Sequence, residues 1–250
     1  MIPIKTPEQI ESMRRSGKAA RQVLDEVVSK VEPGVTTGEL DQYAAELIKK
    51  LGGVSPFLGY RGFPGTLCIS VNEEVVHGIG GAKKLAYGDT VTLDVGVILD
   101  GWVGDNATTV AVGAIHPETE DLLRVTEEAL YRGIDQAREG KRLGDLCNAI
   151  QRHVESHKYS IVREFVGHGV GKTLHEEPQI PNYGKKGAGP KLKAGMTFAI
   201  EPMVNMGRAG VKILSDGWTV VTSDGKPSAH FEHTVLITKG DPEILTCQDD

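Results

Sequence analysis

Cysteine, basic charge and long apolar runs are all scarce in this sequence, and each shortage narrows what the chain can be. Three cysteines (Cys68, Cys147 and Cys247) stand in 250 residues without a CxxC pair. An odd number so spaced argues against a disulfide framework or a cysteine zinc site and favours a reducing compartment. No run approaches the roughly 18 apolar residues of a membrane span. The opening MIPIKTPEQIESMRRSGKAA has no apolar signal core, so a cytoplasmic protein with no membrane partner is expected. Lysine and arginine number 28 against 34 acids, for a net charge of −6, and they are scattered. The pairs Arg14-Arg15 and Lys185-Lys186 read as solvated surface, which leaves no case for a specific nucleic-acid partner. What remains is 39% hydrophobic and 25% charged, without low-complexity tracts, and long enough to bury a substantial core.

The chain reads as if written twice. Apolar periodicity predicts helices over 7–30, 37–51, 117–138 and 143–157, the first opened by Thr6-Pro7-Glu8 as N-cap and N1 proline. Strand-like runs follow each helical pair: 90–99 and 102–112, then 196–204, 216–222 and 229–238. Gly34-x3-Gly38-Glu39-Leu40 matches Gly140-x3-Gly144-Asp145-Leu146. Gly88-x-Thr90-Val91-x-Leu93-Asp94 matches Gly195-x-Thr197-Phe198-x-Ile200-Glu201 at nearly the same offset. The expectation is one domain over 1–250 with an internal repeat of about 7–112 and 117–238. Its α+β halves would face each other across a pocket.

Asp94 and Asp105 belong to one hairpin turning at Leu99-Asp100-Gly101. With Leu99-Asp100 as the loop they are directly opposed; with Asp100-Gly101 they are diagonal. Either register puts them on one face, with Thr92, Gly96, Val103 and Ala107, while Val91, Leu93, Val95 and Val97 take the other. Two half-buried carboxylates that close repel each other, and shared cations relieve the repulsion. Glu201 in MTFAIEPMV and Glu232 in AHFEHTVLIT lie within apolar strands with no adjacent lysine or arginine. Burying such a group bare costs several kcal/mol, so each must be paired, protonated or metal-bound. His168, between Gly167 and Gly169, joins them as a candidate ligand. Four carboxylates and one imidazole suit two divalent ions such as Mn, Fe(II) or Co better than one tetrahedral structural zinc. No rival motif holds: His175-Glu176-Glu177-Pro178-Gln179 lacks the second histidine of HExxH, and neither GxSxG nor a Walker A loop occurs.

At this point the sequence resembles the type I methionine aminopeptidases, whose fold is called pita bread. The resemblance runs through CISVNEEVVHGIG (68–80), TLDVGVILDGWVGDNATT (92–109), FVGHGVGKTLHEEPQIPNYG (165–184), FAIEPM (198–203), DGWTVVT (216–222) and FEHTVLIT (231–238). It implies an α+β fold of two pseudo-symmetric halves, with helices covering an antiparallel sheet and the active site between the halves. It implies Asp94, Asp105, His168, Glu201 and Glu232 as ligands of two divalent ions (Co, Mn, Fe(II) and Zn among those accepted), with Asp105 and Glu232 bridging. It makes His77, His175 and Glu201 the catalytic groups: His175 donates to the developing oxyanion, His77 contacts the substrate near the scissile amide, and Glu201 doubles as proton shuttle. The methionine side chain would enter a cup of Tyr60, Phe63, Cys68 and Trp218, apolar and polarizable enough for a thioether. A monovalent cation near Asn72 and Ser228 is a further implication.

Departures stand at Phe57, Phe63 and Leu174, where relatives often carry a smaller residue, tyrosine and phenylalanine. They bear on inhibitor contacts and tolerance at the second substrate residue, not on the reaction. The implied activity is removal of the initiator methionine from nascent chains whose second residue is small, by a water or hydroxide shared between the ions. The implied partners are N-terminal methionyl peptides and the ribosome, and the protein is expected as a monomer. Two rivals have the same fold: an Xaa-Pro aminopeptidase or prolidase, and a catalytically dead protein that binds peptides or RNA. The first usually has an extra N-terminal domain; the intact ligand set and absent basic patch oppose the second.

Overall fold

Capping residues set where each half begins. In the computed structural model, which describes residues 1–247, Thr6 and Thr36 each close a capping box, with Gln9 and Glu39 returning the bond. They start α1 (Pro7–Val28) and α2 (Thr37–Lys50), which precede β1 (Cys68–Val71), β2 (Glu74–Val76), β3 (Thr90–Leu99) and β4 (Trp102–Ala111). The order then recurs with α3 (Pro117–Ile134) and α4 (Leu143–Ser156), followed by β5 (Ser160–Ile161), β6 (Gly167–Gly169), β7 (Glu176–Ile180) and β8 (Thr197–Ile200). Last come β9 (Met203–Asn205), β10 (Val211–Ile213), β11 (Val220–Thr222), β12 (Ser228–His230), β13 (Glu232–Leu236) and β14 (Glu243–Ile244). Residues 248–250 of the expected domain lie outside the described residues.

An antiparallel sheet of eight strands runs β1-β3-β4-β13-β8-β6-β7, with β14 also on β13. The central β4–β13 contact is where the halves meet, and the order reads alike outward from it. Each half keeps its own core. Val91, Leu93, Val95 and Val97 are fully buried against Ala20, Val23 and Leu24 of α1 and Leu40 and Ala44 of α2. Leu122, Leu130, Leu146 and Ile150 of α3 and α4 pack with Phe198, Ile200 and Val235. Helix α1 crosses the β3–β4 hairpin closely: a Cβ on Gly104 would come within 2.3 Å of the Ser16 carbonyl oxygen.

The hairpin takes the second of the two possible registers. Leu99 pairs with Trp102, and Asp100 and Gly101 form the loop at φ 52° and 76°, as a primed turn requires. Asp94 therefore faces Ala107 and Asp105 faces Gly96, so the two acids are diagonal neighbours.

Three expected strands are shorter or broken. Residues 196–204 divide into β8 and β9 at Glu201-Pro202, because proline has no N–H for the ladder. Residues 229–238 divide into β12 and β13 at Phe231. Only 220–222 of 216–222 is strand, since the Asp216 carboxylate takes the N–H groups of Trp218 and Thr219 and holds them in a turn. Helix α3 stops at Ile134 rather than 138, where Gln136 and Ala137 bond three residues back and tighten the chain out of the helix.

Candidate metal centre and active site

The acids converge at the junction of the halves. Glu232 opens β13 opposite Ala107 of β4, the residue that also faces Asp94. Glu201 follows the last residue of β8, and His168 occupies the middle of β6 opposite Ala199. Asp105, His168 and Glu232 offer ligand atoms all within 4.8 Å of one another. His168 Nε2 stands 3.5 Å from Glu201 Oε1 and 3.8 Å from Asp105 Oδ2. Cys68 pairs with Asp94 in register, and its thiol donates toward that carboxylate.

Electrostatics of the cluster are one-sided. Burial pushes the carboxyl of Asp94 up to about 7, against the pull of the Cys68 thiol. Burial drives Asp105 and Glu201 well above the carboxylate range, and neighbouring carboxylates add to it: Asp94 for Asp105, and both aspartates for Glu201. Glu232 rises in the same way, by burial and then by Asp105, Glu201 and Asp94. Among the described residues no lysine or arginine acts on these four carboxyls. His168 cannot serve as the cation, because burial, with His175 next, lowers it to about 3 and leaves a neutral imidazole. Its contacts with Asp105 and Glu201 are thus not ion pairs. Oδ1 of Asp94, Oδ1 of Asp105 and Oε1 of Glu232 are buried without a hydrogen-bond partner. Orphaned buried oxygens of like charge beside a neutral imidazole fit a divalent cation as their missing partner.

The substrate-side residues border this cluster. His175, just before β7, packs its ring 4.3 Å from that of His168, and its Nδ1 lies 2.9 Å from the Tyr60 hydroxyl. Tyr60 therefore presents its polar end to His175. Phe63 meets Trp218 edge-on at 5.1 Å, in one cluster with Cys68, Phe57 and Leu174. His77, at φ 60°, stacks edgewise on Phe165 and Trp218. Burial lowers it to about 4, so it too is neutral near pH 7. Asn72 and Ser228 meet through their own bonds: Ser228 N–H donates to the Asn72 carbonyl, Thr90 N–H to the Asn72 side-chain oxygen, the Asn72 amide to Asp89, and the Ser228 hydroxyl to Val204 and Asn205.

Two residues stand here without having been singled out in the sequence. His230 is 1% exposed, neither ring nitrogen has a partner, and Nε2 lies 3.6 Å from Glu201 Oε2. Glu201 therefore lies between two imidazoles. The signal was parity, since 230 and 232 share a face of any strand. Lys5, with its ammonium on Glu176, gave no local signal because its partner is 171 residues away.

A buried, oxygen-rich, cation-less cluster between two halves of a mixed α/β fold defines a protein built around divalent ions. The chain belongs to the metallopeptidase family M24, whose profile matches residues 11–239. It is 51% identical over 246 residues to methionine aminopeptidase 1 of Bacillus subtilis, covering 98% of this chain and 99% of that one. To the methionine aminopeptidase of Escherichia coli K12 it is 45% identical over 251 residues, covering 100% and 95%. Among solved structures, methionine aminopeptidase from Thermotoga maritima superposes with a TM-score of 0.98 at 48% identity, covering 99% and 100%. Prolidase from Pyrococcus furiosus superposes with a TM-score of 0.80 at 23% identity, covering 99% of this chain and 66% of that one, a likeness of fold. Among the described residues no helix is long and apolar enough to cross a membrane.

Proposed function

We propose that this protein is a metal-dependent methionine aminopeptidase that removes the initiator methionine when the following residue is small. The observation that carries this is the set of four converging carboxylates, three of them (Asp94, Asp105 and Glu232) with orphaned buried oxygens, set beside an apolar, sulfur-lined cup. Asp94, Asp105, His168, Glu201 and Glu232 would hold two divalent ions. Bound there, the ions would supply an acidified water and Lewis-acid stabilisation of the carbonyl oxygen.

The chain's own groups do the rest. Phe63, Cys68 and Trp218 hold the thioether by apolar and sulfur–aromatic contact, and the Tyr60 ring closes that side. With the Tyr60 hydroxyl as donor to Nδ1 of His175, 2.9 Å away, the imidazole would carry its proton on Nε2. Neutral His175 can then donate to the oxyanion as it develops. His77, neutral and facing the cup through Trp218, orients the substrate backbone. Glu201, beside two neutral imidazoles, takes the proton released on attack and returns it to the leaving amine. The halves 7–112 and 117–238 form one catalytic domain by internal repeat, a reading supported by the mirrored strand order.

Nascent chains at the ribosome are the expected source of substrate, in the cytoplasm, and the protein acts as a monomer. A monovalent cation at Asn72 and Ser228 rests on resemblance alone, since the polar groups there already have protein partners.

The test is to strip the protein with chelator and titrate back Mn, Fe(II), Co and Zn while following Met-Gly-Met and Xaa-Pro peptides. Restored cleavage of Met-Gly-Met in preference to Xaa-Pro is expected. Faster cleavage of Xaa-Pro, or turnover that survives in Asp105→Asn, would overturn the reading.

A further inference from the structure

Lys5 is buried, with 4% of its side chain exposed, and its ammonium lies 2.7 Å from Glu176 Oε2. A buried ammonium is costly unless matched in charge and geometry. The match here joins the N-terminal segment to the residue immediately after His175. The second oxygen of Glu176 accepts the Lys172 N–H at 3.0 Å, so one carboxylate closes the loop 172–176 on itself. The carboxylate lies close over Gly171, where a Cβ would come within 2.3 Å of Glu176 Oε1. Inside the loop, the Thr173 hydroxyl donates to the His175 carbonyl at 3.2 Å.

The other end of the tie is fixed as well. The Lys5 N–H donates to the Gly195 carbonyl at 2.8 Å, on the turn that leads into β8 and so to Glu201. Gly195, at φ 90°, has no room for a side chain, since a Cβ would meet Ile4 at 2.8 Å and the Lys5 carbonyl oxygen at 3.0 Å. Lys5 thus ties the loop bearing His175 to the strand that ends at Glu201, by a backbone bond on one side and a buried ion pair on the other.

We propose that Lys5 and Glu176 are positioning residues for His175: their ion pair holds its loop at the height from which the imidazole reaches the reacting carbonyl. This rests on the reading of His175 as donor to the developing oxyanion. Apolar residues of similar volume could fill the same space and stabilise as well. What the ion pair adds is a fixed distance one residue from a catalytic ring, and displacing such a ring by about 1 Å costs on the order of 10²-fold in rate.

The experiment is a double-mutant cycle on the full-length, metal-loaded protein with Met-Gly-Met: Lys5→Met, His175→Ala and both together, with Lys5→Arg as the conservative variant. Thermal transitions and calorimetric Mn binding check that fold and metal site are intact. Lys5→Met should lower kcat by about 10- to 100-fold with little change in KM, and Lys5→Arg should recover most of it. In the His175→Ala background Lys5→Met should change kcat by less than about twofold, because the group being positioned is gone. An equal loss in both backgrounds, or wild-type kcat in Lys5→Met, overturns the proposal while leaving the His175 reading standing. If His175→Ala itself leaves kcat unchanged, it is the His175 reading that fails, and the proposal with it. Should Lys5→Met fail to fold, Glu176→Gln enters the same cycle, with the same expected and overturning results.

Discussion

In the first half Asp94 and Asp105 sit on two ten-residue strands joined by a two-residue turn; in the second, Glu201 and Glu232 sit at the ends of strands of four and five residues. The continuous hairpin fixes its acids through an unbroken ladder, diagonal to one another and flanked by Gly96 and Ala107. In the second half the β8–β13 ladder ends at the His233–Ile200 pair, one residue before both glutamates. Proline after Glu201 and the break at Phe231 turn the chain away to β9 and β12, which leaves the glutamates at an open end. There Glu201 lies between His168 and His230, while Asp94 has a thiol beside it. Moving down the sheets makes the asymmetry plainer. Thr92 and Ala199 are equivalent by the repeat; Ser70 faces the first and His168 the second. On the proposed ligand set the continuous half would supply carboxylates alone and the broken half would add the imidazole of His168, so the two metal positions should differ in ligation and affinity.

The largest effect expected from breaking this contrast is at Glu201. Glu201→Gln should lower kcat by about 10²- to 10⁴-fold, whereas Asp94→Asn should show first as weaker Mn binding in calorimetry. Activity of Glu201→Gln within tenfold of the unsubstituted protein would remove it from proton transfer and make the halves equivalent.

A second expectation concerns the cluster as a whole without metal. The folded carboxyls titrate well above the roughly pH 4 of an unfolded chain, with Asp94 at about 7. Between those values the folded state holds protons that the unfolded chain has released. Below about pH 6.5 the buried histidines, held neutral in the fold, act in the opposite sense; above it they are neutral folded and unfolded alike, and the stability of the chelated protein should fall as pH rises, while protons should leave on metal binding. Thermal transitions from about pH 6.5 to 8, with and without Mn, measure this. A metal-free protein whose stability rises over that range would mean the acids are matched by something other than cations.

The smallest effect tests the rigidity of the first half. Gly96 faces Asp105, and a Cβ there would come within 2.4 Å of Pro56 and 3.0 Å of the Phe57 ring. Gly96→Ala should cost about 1–3 kcal/mol by overpacking, read from denaturant unfolding. A neutral result would show that the hairpin yields there, and that its order is no stricter than the second half's.

Much of the architecture was legible in the chain. The capping residue Thr6, the apolar spacing of the helices and the alternation of Val91, Leu93, Val95 and Val97 are local signals, and the helices and the hairpin's inner face follow from them. The acids were legible because charge inside an apolar run is conspicuous. The break at Phe231 was not, since that run looks like a continuous strand until two sheets compete for its ends, whereas Pro202 carried a local signal for the break beside it. Lys5 escaped for a related reason: it gains its meaning from Glu176, a distant residue.

The sequence by itself determined the helices, the paired acids, the resemblance to one family and the chemistry its donors favour, since periodicity, capping and residue type act over a few positions. Only the tertiary structure decided the hairpin register, because the alternatives share a face and differ by turn geometry alone. It also decided the ends of the second-half strands, Tyr60 on the ring of His175, and the tie from Lys5 to Glu176. Those depend on burial and on contacts between residues far apart in the chain, which no local pattern encodes.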